Sequence, residues 1–413
     1  MGKDESSPSN RYRYLPLLSL LLAILSAGLV LRLYVRLPSD TYEKRVNAFG
    51  AALRSITENY AGKVEEKTLY EAAMRGMVGT LDDPYSSYLT GFELETAGAQ
   101  TEGEFGGIGV VVSQRDGQAM VIEVQEGGPA AEAGLQPGDA IVGVNGRPVS
   151  EMSFVEMVSR IRGKVGTSVE VQIQEAETDK ESTVAITRKL ITAENVSWRY
   201  VSEGIGYIEV DQFDAHSLEN VRGAIQELQS EGALRALILD VRGNVGGLLE
   251  AATGICDLFL SEGPIATVVS RRPDKKQVFR ARGKTAVAQS LPLVVLTDAR
   301  SASASEVTAG ALQNLGRATI VGTTTFGKGA VNRIFVLPDK TGLFLTVAYY
   351  KVGKGQEIEG RGVEPDIVVG KVGPPPENAG PEARKQWLES YRKAGEKQLN
   401  RAIEYLQKRI EDR

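Results

Sequence analysis

The stretch SASASE, residues 301–306, places serines at alternate positions before the helix-like run VTAGALQNLG, and the chain contains a single histidine, His216. A serine nucleophile needs a neighbouring group that takes its proton. Lys328, in TTTFGKG, is a candidate, although a lysine with its ordinary pKa of about 10.4 is protonated at neutral pH. Burial lowers that pKa, and Ser-Lys pairs are an established variant of serine-based hydrolysis. These residue types therefore predict a nucleophilic serine served by a buried lysine.

The elements around these residues predict that they meet. The patterns of a strand, a helix and a strand follow one another in LPLVVLTD, ASEVTAGALQNLG and RATIVG. The second strand brings the chain back over about the distance that the helix carries it away from the sheet edge. SASASE and TTTFGKG then lie at the carboxyl edge of a sheet, where open α/β sheets place their sites. The strand LRALILDV brings the loop RGNVGG to the same edge, where its backbone N–H groups are suited to hold an oxyanion.

The wider pattern predicts an α/β multidomain protein. A helical region is placed at 40–100, because apolar side chains recur at helical spacing, and the stretch LDDPYSSYLT is expected to end it at a turn. A core domain is placed at 179–370, since alternating strands and helices predict a parallel sheet with right-handed crossovers. Residues 371–413 have the pattern of a linker followed by a helix with an apolar stripe. The two stripes comprise Val46, Phe49, Leu53, Ile56 and Tyr60, and Leu399, Ile403, Leu406 and Ile410.

Residues 101–178 have the pattern of short strands and turns and resemble a PDZ domain. The most specific part is GGPAAEAGLQPGDAIVGVNG, and the order of elements from FGGIGVVVS to SVEVQI matches as well. PDZ domains bind a peptide by adding it to a sheet edge. The resemblance implies that backbone N–H groups of Phe105, Gly106, Gly107 and Ile108 hold the terminal carboxylate of that peptide.

Together, SASASE, the lysine of TFGKG 25 residues after Ser303, LDVRGNVGGLL upstream and GRGVEPD downstream resemble the carboxyl-terminal processing proteases, also called tail-specific proteases. The resemblance covers about residues 42–369. It implies a serine endopeptidase with a β/α core of the crotonase and ClpP type, an inserted PDZ domain and no cofactor. It further implies that the PDZ domain captures protein substrates by their C-termini.

The same resemblance assigns the site residues. They are the nucleophile Ser303, the base Lys328 and, through their backbone N–H groups, the oxyanion donors Ala304 and Gly246. Family members usually carry a glutamine four residues after the lysine, which orients it, and this chain has Asn332 there. Asparagine offers the same donors and acceptor but reaches one methylene less far. We expect Asn332 to orient Lys328, with a changed lysine position or a lower activity as the consequence.

An apolar segment lies near the N-terminus. YLPLLSLLLAILSAGLVL, residues 14–31, has eighteen residues without a charge, just enough to span a bilayer. We expect an uncleaved transmembrane anchor over 14–33, with a cleaved signal peptide as the alternative. Positive residues before the segment place residues 1–13 in the cytoplasm and the catalytic part on the periplasmic or extracellular side.

Charge and cysteine content narrow the set of partners. The net charge is −5 without a long basic tract, which argues against nucleic acid as a partner. Cys256 is the only cysteine, so an internal disulfide and a cysteine-based zinc site are excluded. No set of histidine, cysteine and carboxylate residues has metal-site spacing, and we expect no metal. The apolar stripes of the terminal helices are compatible with a homo-oligomer.

Other interpretations of the two central residues remain. Ser303 to Glu306 match S-x-x-E, a capping box in which a serine only satisfies helix N–H groups. GTTTFGKG nearly matches a phosphate-binding loop, but Gly329 stands where a hydroxyl is required and extended chain follows. His216 lies near two aspartates, although its position between a strand and a helix favours a cap. A PDZ scaffold that keeps the fold without cutting is the alternative from another functional class.

Overall fold

The computed structural model describes residues 40–102, 104–115, 118–152, 154–176, 178, 180–192, 195–271, 276–373 and 381–412. Within these ranges, no helix combines the length and the apolar character needed to cross a membrane. The predicted cytoplasmic N-terminus, 1–13, and the predicted anchor, 14–33, lie outside the described residues. The chain divides into two compact units, Met1–Met77 and Val78–Arg413.

The N-terminal helical region begins with two helices, the first of which carries the predicted apolar stripe. They are α1, Asp40–Asn59, and α2, Glu66–Gly79. Val46, Phe49 and Ile56 lie along α1 and are exposed. The apolar stripe of α1 is therefore open to solvent in the single chain.

The helical section extends beyond LDDPYSSYLT, so the prediction that it ends there is wrong. After the turn come strand β1, Ser87–Leu89, and helix α3, Gly91–Glu102. A capping box starts α3: the Glu93 carboxylate accepts the Thr90 N–H at 2.7 Å, and Thr90 Oγ1 accepts the Glu93 N–H at 3.3 Å. The turn at Pro84 is present, and this local signal starts a further helix after it.

An antiparallel sheet forms the module predicted to resemble a PDZ domain. Its strand order is β3-β4-β5-β7-β8, and β6 pairs with β5. The strands are β3 Val110–Arg115, β4 Gln118–Val124, β5 Ala140–Val144, β6 Arg147–Pro148, β7 Ser168–Gln174 and β8 Glu181–Thr187. Helices α4, Pro129–Glu132, and α5, Phe154–Ile161, pack on this sheet, and β2, Glu104–Gly107, pairs with β9, Lys189–Thr192. Asn145 and Gly146 both have positive φ, as the two-residue hairpin between β5 and β6 requires.

The main sheet has the order β10-β11-β12-β15-β16-β20. Its strands are β10 Val196–Ser202, β11 Ile205–Val210, β12 Ala236–Asp240, β15 Leu293–Thr297, β16 Thr319–Gly322 and β20 Ile367–Val368. Only the β10-β11 pair of this sheet is antiparallel. Every residue of β12 and β15 is buried, as expected of parallel strands covered on both faces. The mixed α/β core is confirmed, while its relation to the crotonase and ClpP folds stays a prediction.

Helices cover both faces of the main sheet. The crossover helices α6, Ser217–Glu231, α7, Leu249–Asp257, and α8, Ala304–Asn314, share one buried cluster with alternate strand residues such as Leu237 and Val295. The remaining strand residues pack against α9, Pro381–Glu411, which buries Ala402 and Leu406. The C-terminal helix predicted from its apolar stripe is thus an integral layer of the core.

A second sheet is built around β18, Gly342–Val352. Its order is β1-β18-β13-β14, and two further strands pair with β18. Strands β13 and β14 are Pro264–Ser270 and Gln277–Arg280. The two further strands are β17, Ala330–Val336, and β19, Gln356–Glu357. Ser87 of β1 is in register with Phe344 of β18, so the PDZ-like module is inserted between two parts of the core.

We expect Leu406→Ala to lower the free energy of unfolding by about 2–5 kcal/mol, because it leaves a cavity between α9 and the main sheet. Urea denaturation followed by circular dichroism measures this change. Leu388→Ala is the control in the same helix, since Leu388 is 58% exposed and its truncation should leave stability nearly unchanged. Equal effects of the two substitutions would show that α9 does not dock through Leu406.

Candidate active site

Ser303 stands at the start of α8, at the carboxyl edge of the main sheet. Its φ of 56° and ψ of −112° place it in a region that residues other than glycine rarely adopt. Such backbone strain costs on the order of 1–3 kcal/mol and is concentrated at functional sites. The surrounding contacts must therefore hold this turn in place.

The loop RGNVGG lies directly against the serine. A Cβ on Gly246 would be 2.7 Å from Ser303 Cβ and 2.8 Å from the Ala302 carbonyl oxygen, and Gly246 has φ of 109°. The Asn244 carbonyl oxygen accepts the Ala302 N–H at 3.0 Å and the Ser305 hydroxyl at 2.8 Å. Only glycine fits where the backbones of Gly246 and Ala302 come this close. The prediction that RGNVGG and SASASE lie at the same sheet edge is confirmed.

The two predicted oxyanion donors are neighbours, but one of them is engaged. The position of a Cβ on Gly246 is 3.0 Å from the Ala304 nitrogen. The Gly246 N–H donates to Asn244 Oδ1 at 2.8 Å, and Asn244, which is fully buried, donates to the Val210 carbonyl oxygen at 2.7 Å. Gly246 can hold an oxyanion only after its N–H leaves Asn244.

One carboxylate ties the serine turn to the lysine loop. Glu306, fully buried in the first turn of α8, accepts the Ser303 N–H and the Lys328 N–H on Oε2, each at 2.8 Å. Its Oε1 accepts the Gly327 N–H at 2.7 Å and the Thr325 hydroxyl at 2.6 Å. Burial raises the pKa of this carboxyl, and the four hydrogen bonds oppose that rise. The predicted role of Glu306 as a helix cap therefore extends to the loop that carries Lys328.

The Lys328 amine is half-buried among aromatic rings. Its Nζ lies 5.0 Å from the centroid of the Tyr85 ring and 6.0 Å from that of Phe344, distances at which the ring face attracts an ammonium. Burial lowers the pKa of the Lys328 amine below its ordinary 10.5, in the direction that a base requires. Three carboxylates oppose this shift: Glu359, Asp83 and Glu306.

Tyr350, near the end of β18, contacts both Ser303 and Lys328. Its hydroxyl donates to the Lys328 carbonyl oxygen, and its phenol also interacts with the Ser303 side chain. Burial raises the pKa of this phenol well above its usual range, so it stays protonated. Among the described residues, no hydrogen bond joins Ser303 Oγ to Lys328 Nζ. The structure therefore brings the serine and lysine backbones together while their functional groups contact Tyr350 and Tyr85.

Asn332 contacts the backbone of Tyr85, and the ring of Tyr85 lies near the Lys328 amine. Its amide donates to the Tyr85 carbonyl oxygen at 3.0 Å and to Thr346 Oγ1 at 3.1 Å. It lies in β17 at a register shift against β18. In this structure the asparagine holds the segment whose ring contacts the lysine. The sequence pattern LDDPYSSYL pointed to this segment without suggesting a chemical role for Tyr85.

The competing residues have structural contacts. His216 is the N-cap of α6, and its N–H donates to Asp214 Oδ1 at 2.9 Å. Ser301 is buried and donates to the Val241 carbonyl oxygen at 2.8 Å. GTTTFGKG continues into strand β17, whereas a phosphate-binding loop continues into a helix. In the described part of the chain, no group of histidine, cysteine and carboxylate residues has the arrangement of a metal site.

The PDZ-like module has a groove of 920 Å³ at the position predicted for peptide binding. Gly107 and Ile108 line it, opposite Val158 and Arg162 of the helical side. The backbone of Phe105 and Gly106 lies in β2, which pairs with β9, and the Gly106 carbonyl oxygen accepts the Gly163 N–H at 2.9 Å. Two of the four predicted residues thus border the groove, and the other two lie in the adjoining strand.

Models of known families match most of this architecture. The model of peptidase family S41 matches residues 204–369, that of the PDZ domain matches 97–174, and that of the activating protease CtpB N-terminal domain matches 36–91. A carboxy-terminal-processing protease of Bartonella bacilliformis is 36% identical, over 80% of this chain and 76% of its own length. Carboxy-terminal processing protease CtpB of Bacillus subtilis is 33% identical, over 79% of this chain and 68% of its own length.

Among solved structures, the photosystem II D1 C-terminal processing protease aligns with 77% of this chain and 86% of its own, at 28% identity and a TM-score of 0.47.

We expect the Lys328 amine to titrate below 10.5, because burial disfavours its charged form. Acetylation as a function of pH, followed by mass spectrometry of the peptide that contains Lys328, measures this pKa. Glu359→Gln should lower the pKa further, since it removes a carboxylate that favours the ammonium. Glu357→Gln is the control, because Glu357 pairs with Lys351 at 2.7 Å. A pKa at or above 10.5 in the unaltered protein would contradict the burial argument.

Glu306→Gln should destabilise the protein by about 3 kcal/mol or more, because an amide NH₂ then faces backbone N–H donors in a buried site. The free energy of unfolding from urea titration measures the loss. Glu389→Gln removes an exposed carboxylate of α9 and serves as the control, with little change expected. If Glu306→Gln were as stable as this control, the carboxylate would not hold the two loops.

Proposed function

We propose that this chain, which belongs to peptidase family S41 and to its carboxy-terminal processing proteases, is a serine endopeptidase that uses Ser303 as nucleophile and Lys328 as base. The observation that carries this assignment is the Glu306 carboxylate, which holds the backbones of both residues. The lowered pKa of the half-buried Lys328 amine supports its role as a proton acceptor at moderate pH.

The reaction would proceed in two steps. The neutral Lys328 amine leaves the Tyr85 ring and takes the proton of Ser303 Oγ, while Oγ bonds to the carbonyl carbon of the scissile peptide. The ammonium then gives its proton to the leaving amine, the peptide C–N bond breaks and an acyl-enzyme remains. Water, deprotonated by the same amine, hydrolyses the ester and restores the Ser303 hydroxyl.

The backbone at the start of α8 is suited to stabilise the intermediate. The Ala304 N–H belongs to a helix N-terminus, where the macrodipole favours negative charge. Gly246 is the proposed second donor, once its N–H leaves Asn244. Each donor of this kind contributes roughly 3 kcal/mol to transition-state stabilisation.

The proposed substrates are proteins, captured by their C-termini in the groove of the PDZ module. A peptide that extends along such a groove gains backbone hydrogen bonds at the sheet edge, and its side chains give specificity. We assign the protein to a membrane-anchored, extracytoplasmic location, with the anchor over 14–33, supported by the apolar segment 14–31 and the positive residues before it. A homo-oligomer is proposed on the exposed apolar stripe of α1.

A non-cutting PDZ scaffold is the second candidate. It is favoured by the contacts of Lys328 Nζ with the Tyr85 ring and of Asn332 with the Tyr85 carbonyl oxygen, which keep the amine apart from Ser303. In the protease the Lys328 amine moves to Ser303 Oγ during the reaction, whereas in the scaffold it stays near the Tyr85 ring.

Digestion of β-casein decides between these two functions. We expect the unaltered protein to cut, and Ser303→Ala and Lys328→Met each to reduce the rate by at least about 10³-fold, since both groups take part in bond making. Lys351→Met is the control, because Lys351 pairs with Glu357 and should not be needed. Cutting that survives Ser303→Ala would refute the mechanism, and peptide binding without any cutting would favour the scaffold.

A further inference from the structure

The geometry points to Tyr391 of the C-terminal helix α9 as a positioning residue for the active site, acting through Asp298 on the loops RGNVGG and SASASE, which carry the proposed oxyanion donor Gly246 and the proposed nucleophile Ser303. This inference rests on the proposed function. It concerns a helix that lies beyond the segment matched by the S41 family model, which ends at residue 369.

Asp298, directly after β15, joins the two loops. Its Oδ1 accepts the Gly243 N–H of RGNVGG at 2.9 Å and the Ser301 N–H of SASASE at 3.0 Å. The Ser301 hydroxyl in turn donates to the Val241 carbonyl oxygen at 2.8 Å. Gly243 is three residues from Gly246, and Ser301 is two residues from Ser303. The position of the Asp298 carboxylate therefore sets where both loops begin.

Tyr391 holds the other oxygen of this carboxylate. Its hydroxyl donates to Asp298 Oδ2, and burial raises the pKa of the phenol to about 12, so the donor is retained across the physiological range. Its ring stacks on Trp387 at 5.2 Å between centroids, and the Arg300 guanidinium lies 4.3 Å from the ring centroid. These contacts fix the ring, and with it the direction from which the hydroxyl meets Asp298.

A second contact joins α9 to the same edge independently. The Arg242 guanidinium donates to the Gly395 carbonyl oxygen at 2.7 Å and to Gln398 Oε1 at 3.1 Å. The same guanidinium is paired with the buried carboxylate of Asp240, at the end of β12. RGNVGG is thus held by α9 at Arg242 and, through Asp298, at Gly243.

The chain offers a matched control in the same helix. Tyr405 also forms a hydroxyl contact, at 2.9 Å to Thr319 Oγ1, but Thr319 is the first residue of β16, at the opposite end of the strands from SASASE. Tyr391→Phe and Tyr405→Phe each remove one phenolic oxygen from α9 and keep the ring. A role in overall stability predicts similar effects of the two substitutions, whereas a positioning role predicts an effect of Tyr391→Phe alone.

The test uses the full-length chain and two measurements. Hydrolysis of a fluorogenic peptide with a free C-terminus gives kcat and KM, and hydrogen exchange with mass spectrometry follows the peptides that contain Gly243 and Ser301. We expect Tyr391→Phe to lower kcat about tenfold, since small misplacement of a reacting group is costly, with KM changed less than twofold. Both peptides should exchange faster, and Tyr405→Phe should match the unaltered protein in every measurement.

Unchanged exchange in Tyr391→Phe, or equal changes in both variants, would overturn the inference. Faster exchange with an unchanged kcat would overturn it as well, because the loops would then be held without consequence for the reaction. If the unaltered protein failed to cut any peptide, the proposed function would fail, and the exchange data would still decide whether Tyr391 holds the two loops.

Discussion

The active-site geometry depends on one buried carboxylate. Glu306 accepts four hydrogen bonds, two from the backbones of Ser303 and Lys328 and two from Thr325 and Gly327 in the loop that carries Lys328. A carboxylate is suited to this position because it only accepts, and each of the four groups donates to it. These contacts hold the Ser303 turn, whose φ of 56° is strained. The backbones of the proposed nucleophile and the proposed base are thus held by one carboxylate, independently of the conformations of their side chains.

The reactive groups, by contrast, are held apart. Tyr350 engages the Ser303 side chain, Tyr85 attracts the Lys328 amine, and Asn244 occupies the N–H of Gly246. Each of these contacts is broken by a side-chain rotation or a small loop shift, whereas the backbone contacts of Glu306 need not change. In the proposed mechanism, the backbone of the site is already in place and three side-chain contacts have to rearrange before the reaction.

Much of this arrangement is predictable from the sequence, because it follows from local patterns. The strand, helix and strand around SASASE have clear periodicities, and the geometry of such a unit fixes which loops meet. The contacts of Tyr85 are not predictable in this way, since β1 pairs with a strand far along the chain and three-residue strands have no periodicity. The polar stretch YYKVGKGQ does not indicate that Tyr350 and Val352 are buried, which they are because β18 is the central strand of its sheet. Similarly, nothing in the apolar stripe of α9 indicates that Tyr391 meets Asp298.

The pairing of β1 with β18 also bears on how the protein is made. The partner of Ser87 is Phe344, 257 residues later in the chain, so β1 has no pairing strand until that residue is made. Domains fold largely as units during synthesis, so the inserted PDZ module can complete its own core while this strand is still unpaired. Tyr85 and the residues that surround Lys328 then come together only when the ribosome has released most of the chain. The surroundings of the proposed base are therefore completed late in synthesis.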